Sequence, residues 1–172
     1  KKVKRILIIG IYGSGKSTLA DGLSGVLGVR VYDQDDIKYI RKYDKKRTIS
    51  DIKKEILKIS KRKEWIFSGT WLDNSLPLYK KADLVIFLNI PKYKIYSRIL
   101  KRHFQRKKDG QKYIDRGIKS TYHIMKLVRE YFYNTNSFIT YEKHRGYFKK
   151  YAKKVYIIKN NKDIERLIRE LR

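Results

Sequence analysis

Gly10-Ile11-Tyr12-Gly13-Ser14-Gly15-Lys16-Ser17-Thr18 decides how this chain is read. The stretch satisfies the pattern G-x-x-x-x-G-K-S/T in full, and each part of it has a physical purpose. The glycines let the backbone wrap closely around phosphates and present N–H groups to their oxygens. The start of the following helix adds its positive dipole end. Lys16 is placed to reach β and γ phosphates, and the Ser17 hydroxyl to ligate Mg²⁺. The expectation is a bound nucleoside triphosphate with Mg²⁺, held by Gly10, Tyr12, Gly13, Ser14, Gly15, Lys16, Ser17 and Thr18.

The flanks agree with this reading. Ile6–Ile9 is a continuous apolar run before the loop, and Leu19, Leu23, Val26 and Leu27 make a helical stripe after it. Val29–Tyr32, Trp65–Phe67, Leu84–Leu88 and Val155–Ile158 are further short apolar runs. Runs without polar alternation suit strands buried on both faces of a parallel sheet. Helical patterns lie between them: Ile49, Ile52, Ile56 and Ile59, with Thr48 or Ser50 as N-cap, and Ile164, Leu167, Ile168 and Leu171 near the end. A long helical region is expected from Tyr93 to Tyr151, opened by Pro91 and broken near Asp109-Gly110 and Asn134–Asn136. Strands alternating with helices give an α/β domain.

Three acids in four positions, Asp33, Asp35 and Asp36, follow the second apolar run. Parallel sheets bind ligands at the C-terminal ends of their strands. Asp35 is therefore expected as a general base and as a Mg²⁺ ligand, with one Asp of the cluster free to cap a helix beginning near Ile37. Asp36 and Lys38 join it as candidates for holding an acceptor. Gly69, Thr70 and Trp71 follow the third run and are expected at the same edge. The fourth run ends in Asn89, where a second metal-holding acid would be sought, while Asp83 stands at the opposite end. Arg98, Arg102 and Arg106 recur at i, i+4 and i+8, one basic stripe on one helix. Arg98 and Arg102 are expected to stabilise charge on a transferring phosphate and Arg106 to touch the substrate, from a lid-like insertion over about residues 102–120.

The bulk numbers set limits. The 172 residues fit one domain. Lys+Arg 44 against Asp+Glu 17 gives a net charge of +27, a field that attracts polyanions, although Lys-rich surfaces also accompany adaptation to heat. No apolar run approaches the roughly 20 residues that cross a bilayer. The apolar run after Lys1–Arg5 ends in a glycine loop rather than a cleavage site, and cysteine is absent, so a cytoplasmic protein without disulfides or thiolate metal sites is expected. Trp71, Tyr122, Phe132 and Tyr133 are candidates for stacking on bases, and the three histidines show no metal spacing.

The loop Ile8–Thr18, Asp35-Asp36-Ile37, Trp65–Trp71, Ala82–Leu88, the basic helix Tyr96–Arg102 and the final Val155–Leu171 together resemble the adenylate-kinase-like P-loop kinases. Among these, the pattern looks most like the group labelled "DNA topology modulation protein". The resemblance spans most of the chain and implies a P-loop NTPase fold of nucleotide-kinase type: about five parallel strands flanked by helices, a helical basic lid, and ATP as the phosphate donor. Family members usually carry an acid where this chain has Ser68, and a Gly-Lys-Thr-Arg-Pro lid motif where it has Asp109–Tyr113. Asp35-Asp36-Ile37-Lys38 is also similar to the Asp-Asp-x-Arg motif of phage-type polynucleotide 5′-hydroxyl kinases, in which the first Asp is the general base. Three functions stay open: a kinase of a nucleoside, nucleotide or similar small acceptor; a kinase of RNA or DNA ends; and an ATP-binding protein that binds nucleic acid without kinase activity.

Overall fold

The computed structural model describes residues 3–40, 45–108, 118–133 and 136–171, and leaves out the side chains of 106–108 and 118. Five strands form one parallel sheet: β1 (Arg5–Ile9), β2 (Val31–Asp33), β3 (Trp65–Gly69), β4 (Leu84–Leu88) and β5 (Val155–Ile158). Their order is β2-β3-β1-β4-β5, so β1 is central and delivers the phosphate-loop sequence to the middle of the sheet's C-terminal edge. The apolar runs are continuous because both faces are covered. Ile6 and Ile8 pack into one core with Leu19, Leu23, Ile86, Ile95 and Ile99. Leu7 and Ile9 point the other way, into a second core with Ile56, Trp65, Phe67, Phe87 and Phe148.

Eight α-helices cover the sheet among the described residues: α1 (Lys16–Leu27), α2 (Gln34–Lys38), α3 (Ile49–Ser60), α4 (Leu76–Lys81), α5 (Lys92–Lys108), α6 (Ile118–Tyr133), α7 (Tyr141–Tyr151) and α8 (Asn161–Leu171). A 3₁₀ turn, Asp73–Ser75, leads into α4. Thr48 caps α3, its hydroxyl accepting from the Asp51 amide at 3.1 Å. Among the described residues, the region between β4 and β5 is three helices, α5 to α7. Its second break falls between Tyr133 and Tyr141, while Asp109-Gly110 lies outside the described residues, as does the middle of the expected lid, 109–117. Pro91 stands just before α5, where its carbonyl accepts from the Lys94 and Ile95 amides. Some boundaries differ from the sequence expectation: β2 is Val31–Asp33 rather than Val29–Tyr32, and β3 continues past Phe67 to Gly69. The helix expected near Ile37 begins at Gln34, because Asp33 ends β2 and caps α2 at once. Asp83 sits at the opposite end of the sheet, where it pairs with Arg5 at 2.7 Å and accepts from the Lys4 and Arg5 amides.

Candidate active site

The glycine loop is shaped by contacts that only glycine permits. A Cβ on Gly10 would come within 2.9 Å of Ser14 Oγ and 3.1 Å of Leu88 Cβ. Gly13 and Gly15 have φ of 76° and 98°, the left-handed region. A Cβ on Gly13 would also strike Ile99 Cγ1 at 2.9 Å, so α5 packs directly behind the loop. Arg98 ties the two together: its guanidinium donates to the Ser14 carbonyl at 2.8 Å.

The loop fits an anion. Helix α1 has Gly15 as its N-cap, with no capping side chain and no acid in its first turn, so its first amides are left for a ligand. Ser14 Oγ is buried without a hydrogen-bond partner. The Lys16 ammonium donates back to the Ile11 carbonyl at 3.0 Å and lies 5.9 Å from the centre of the Tyr12 ring. Desolvation in this nook lowers its pKa to about 8, against the opposing pull of Asp33 and Asp35. Thr18 is exposed on the first turn of α1.

The carboxylate beside the loop is Asp33. Its Oδ2 accepts from the Ser17 hydroxyl at 3.2 Å and from the Ser68 hydroxyl at 2.8 Å, while Oδ1 accepts from the Asp35 amide at 2.8 Å. Strand pairing explains this. Asp33 is in register with Ser68, and Ser68 with Ile8, just before the loop. The end of β2 thus supplies an acid at this edge, whereas Asn89, just after β4, supplies none. Ser17 and Asp33 could hold Mg²⁺ together, with phosphate oxygens and water supplying the remaining ligands, as is usual for this ion, and Asp35 lines the same cleft. No group of three or more His, Cys, Asp or Glu able to hold a metal occurs among the described residues.

A cleft of about 450 Å³ opens over this pair. Ser17, Asp33, Asp35 and Asp36 line it with Asp21 and Val31, and Arg102 reaches it from α5. The structure therefore gathers the phosphate loop, the acid cluster and one arginine of the basic stripe. Arg98 sits on the loop itself, and the Arg106 side chain lies outside the description. Lys38 and Trp71 are not among the lining residues; the Lys38 ammonium lies 5.4 Å from the Tyr39 ring, and Trp71 packs partly on the second core.

Two residues that sequence reading passed over organise the segment after β3. Gln34 is buried, and its Oε1 accepts from the Thr70 amide at 2.6 Å, the Thr70 hydroxyl at 3.2 Å and the Trp71 amide at 3.0 Å. Thr70 is itself buried, its hydroxyl engaged by Gln34. Gly69 makes this possible, because a Cβ there would lie 2.7 Å from Gln34 Oε1. His144 is fully buried, with Nε2 2.9 Å from the Thr70 carbonyl and Nδ1 2.7 Å from the Tyr131 hydroxyl. A carbonyl only accepts, so Nε2 carries the proton and Nδ1 accepts from Tyr131. Desolvation lowers the His144 pKa to about 4, with the Thr70 bond opposing the shift and the Lys16 charge adding to it.

The AAA domain family matches residues 6–121, which takes in the phosphate loop, the acid cluster and the basic stripe. The chain belongs to the AAA domain family. The uncharacterized protein YqaC of Bacillus subtilis (strain 168) is 38% identical over 107 residues, covering 60% of this AAA domain chain and 58% of YqaC, less than two thirds of that protein's length. Among solved structures, shikimate kinase from Bacteroides thetaiotaomicron superposes with a TM-score of 0.59 at 15% identity, covering 98% of this chain and 96% of that one. Shikimate kinase from Acinetobacter baumannii in complex with shikimate gives 0.56 at 14% identity, with 98% and 90% covered. A sugar kinase from Janibacter sp. HTCC2649 gives 0.52 at 14%, with 98% and 91% covered. At such identities the likeness is one of fold: this AAA domain has the P-loop architecture of small kinases. Among the described residues, no helix is long and apolar enough to cross a membrane.

Proposed function

We propose that this protein is an ATP- and Mg²⁺-dependent phosphotransferase that moves the γ-phosphate to the hydroxyl of a small acceptor, a nucleoside, nucleotide or similar molecule. The observation that carries the reading is the single cleft joining Ser17 of the phosphate loop to Asp33, Asp35 and Arg102. The loop amides, Lys16 and Ser17 hold the triphosphate. Mg²⁺, when bound, supplies neutralising charge at the phosphates. Asp35 accepts the hydroxyl proton as the acceptor oxygen bonds to the γ-phosphorus and the bond to the β–γ bridging oxygen breaks, releasing ADP. Arg102, with Arg98 anchored behind it, stabilises the charge that develops on the transferring group.

The resemblance to the adenylate-kinase-like kinases and to their "DNA topology modulation protein" group supports the same chemistry, and the lack of cysteine agrees with a reducing, cytoplasmic setting. The net charge of +27 keeps a second acceptor in view, the 5′-hydroxyl of an RNA or DNA end. One assay tests both: γ-labelled ATP with Mg²⁺, offered to nucleosides, nucleoside monophosphates, sugars, shikimate and 5′-hydroxyl oligonucleotides. Label on a small acceptor is expected. Label on an oligonucleotide end alone would move the acceptor to nucleic acid, and label on none of them with ATP binding intact would overturn phosphotransfer to these classes.

A further inference from the structure

Helices α5 and α6 run antiparallel. His103 and Thr121 meet at one end, with His103 Nδ1 2.8 Å from Thr121 Oγ1, and Lys92 meets Tyr133 at the other. At the Lys92 end a groove of about 580 Å³ lies between them, lined by Pro91, Lys92, Tyr93, Tyr96, Arg129 and Tyr133. Three of the six are tyrosines, two are cations, and none is a carboxylate. The Lys92 ammonium lies 4.1 Å from the Tyr133 ring centre, and Tyr93 and Tyr133 are 69% and 67% exposed. Rings this large are normally tucked into a core or an interface. On α6 the surface continues: Tyr122, Lys126, Arg129 and Tyr133 recur at i, i+4, i+7 and i+11, one helical face on which two cations lie between two rings.

We propose that this groove is a binding site for single-stranded nucleic acid, separate from the phosphate loop. Exposed rings offer stacking platforms to unpaired bases, and interleaved Lys92 and Arg129 meet the phosphates between them. Stranded bases fit better than a duplex, whose bases are stacked on one another and closed to tyrosine. A second copy of the chain is the other occupant of an exposed aromatic face. Each copy carries +27, and a symmetric contact here would set Lys92 and Arg129 against their own counterparts or neighbours of the same sign. A polyanion removes that repulsion. The proposal stands whether or not the cleft over Ser17 transfers phosphate.

The test is fluorescence anisotropy with labelled oligothymidylate and oligouridylate of about 12 nucleotides, a length within the range of single-strand sites. Wild-type protein is expected to bind, with affinity falling at least about tenfold between 50 and 200 mM salt. Tyr93→Ala and Tyr133→Ala should each weaken binding by about tenfold, while Tyr133→Phe, which keeps the ring, stays within about twofold. Lys54→Ala, removing an exposed cation on α3, should also stay within about twofold, which separates the groove from diffuse charge. Arg129→Gln keeps the test decisive if a tyrosine variant does not fold: it should reduce the slope of log affinity on log salt by about 0.7. No binding by the wild type, or full binding by Tyr93→Ala/Tyr133→Ala, overturns the proposal. So does displacement of the oligonucleotide by Mg-ATP with an equal loss of ATP affinity in Tyr133→Ala, which would make the groove the base pocket of the triphosphate. A dimer in sedimentation that Tyr133→Ala disperses, without oligonucleotide binding, would assign the groove to a second copy.

Discussion

The Ser17 hydroxyl donates to Asp33 Oδ2 at 3.2 Å, joining the first helical turn after the phosphate loop to the last residue of β2. The same oxygen takes the Ser68 hydroxyl, so Asp33 is held from both sides and its charge faces the cleft with a fixed orientation. Asp35 meets Asp33 through its main-chain amide, which donates to the other oxygen, Oδ1, and it lines the same cleft.

The two acids are therefore expected to fail differently. Asp35→Asn should lower turnover by about 100-fold or more, the usual contribution of a general base, with ATP affinity little changed. Asp33→Asn should instead raise the Mg²⁺ concentration needed for half-maximal turnover. Magnesium titrations of both variants read the difference, and an unchanged Mg²⁺ requirement in Asp33→Asn would remove Asp33 from the metal site.

Lys16 gives a pH dependence with a definite sign. A bound polyphosphate favours the ammonium, so ATP affinity should be full below about pH 8 and decline as pH rises through it. The contribution of Lys16 to folding runs the other way. Its folded pKa lies below the ordinary 10.5, so the unfolded chain holds more protons between about 8 and 10.5 and stability rises over that window. Lys16→Ala should abolish the pH trend in binding and cost about 100-fold or more in turnover. Calorimetric titration of ATP from pH 7 to 9.5 is the measurement.

Gln34 supports the loop after β3 through a single oxygen. Gln34→Ala leaves the Thr70 and Trp71 amides without that acceptor and should destabilise the fold by roughly 2–4 kcal/mol. Gly69→Ala forces a methyl against the same oxygen and should cost about 1–3 kcal/mol. Urea unfolding midpoints at one pH compare the three proteins, and equal midpoints would show that the Gln34 bonds contribute nothing net.

His144 is the acid-sensitive part of the buried network. Its folded pKa, about 4, lies below the ordinary 6.5, so the unfolded chain takes up a proton that the folded chain refuses. Stability from this group is complete above about pH 6.5 and is lost as pH falls toward 4. His144→Phe should be less stable at pH 7.5, having orphaned the Thr70 carbonyl and the Tyr131 hydroxyl, but should lose the part of the acid slope that His144 supplies. A pH series of thermal midpoints for the two proteins isolates that slope.

Much of this architecture is legible along the chain because its signals are local. Ile6–Ile9 and Leu84–Leu88 read as buried strands without alternation, Thr48 is one of two candidate caps and the one used, and the glycine loop carries its own chemistry. The resemblance to P-loop kinases agrees with the architecture of the kinases this fold matches. The arrangement of the acids is not local. That Asp33 rather than Asp35 meets Ser17 follows from β2 pairing with β3 and β3 with β1, a strand order that no stretch of sequence displays. His144 is less legible still, because its partner carbonyl at Thr70 is 74 residues away and nothing near His144 announces a buried site. Gln34, between two aspartates, carries no local signal of burial; its place depends on Gly69 letting the backbone come close.

The contact between Gly13 and α5 also bears on how this loop can vary. Positions 13, 95 and 99 share one small volume, with Ile99 Cγ1 at 2.9 Å and Ile95 Cγ2 at 3.2 Å from where a Gly13 side chain would begin. The three form a single unit of substitution. Any side chain at 13 requires smaller residues at 95 and 99 as well as a backbone free of the left-handed turn, and trimming 95 or 99 alone hollows out the wall behind the phosphates. The glycine inside the motif's variable stretch is thus dictated by a helix more than eighty residues downstream, so drift in α5 sets the freedom of the loop.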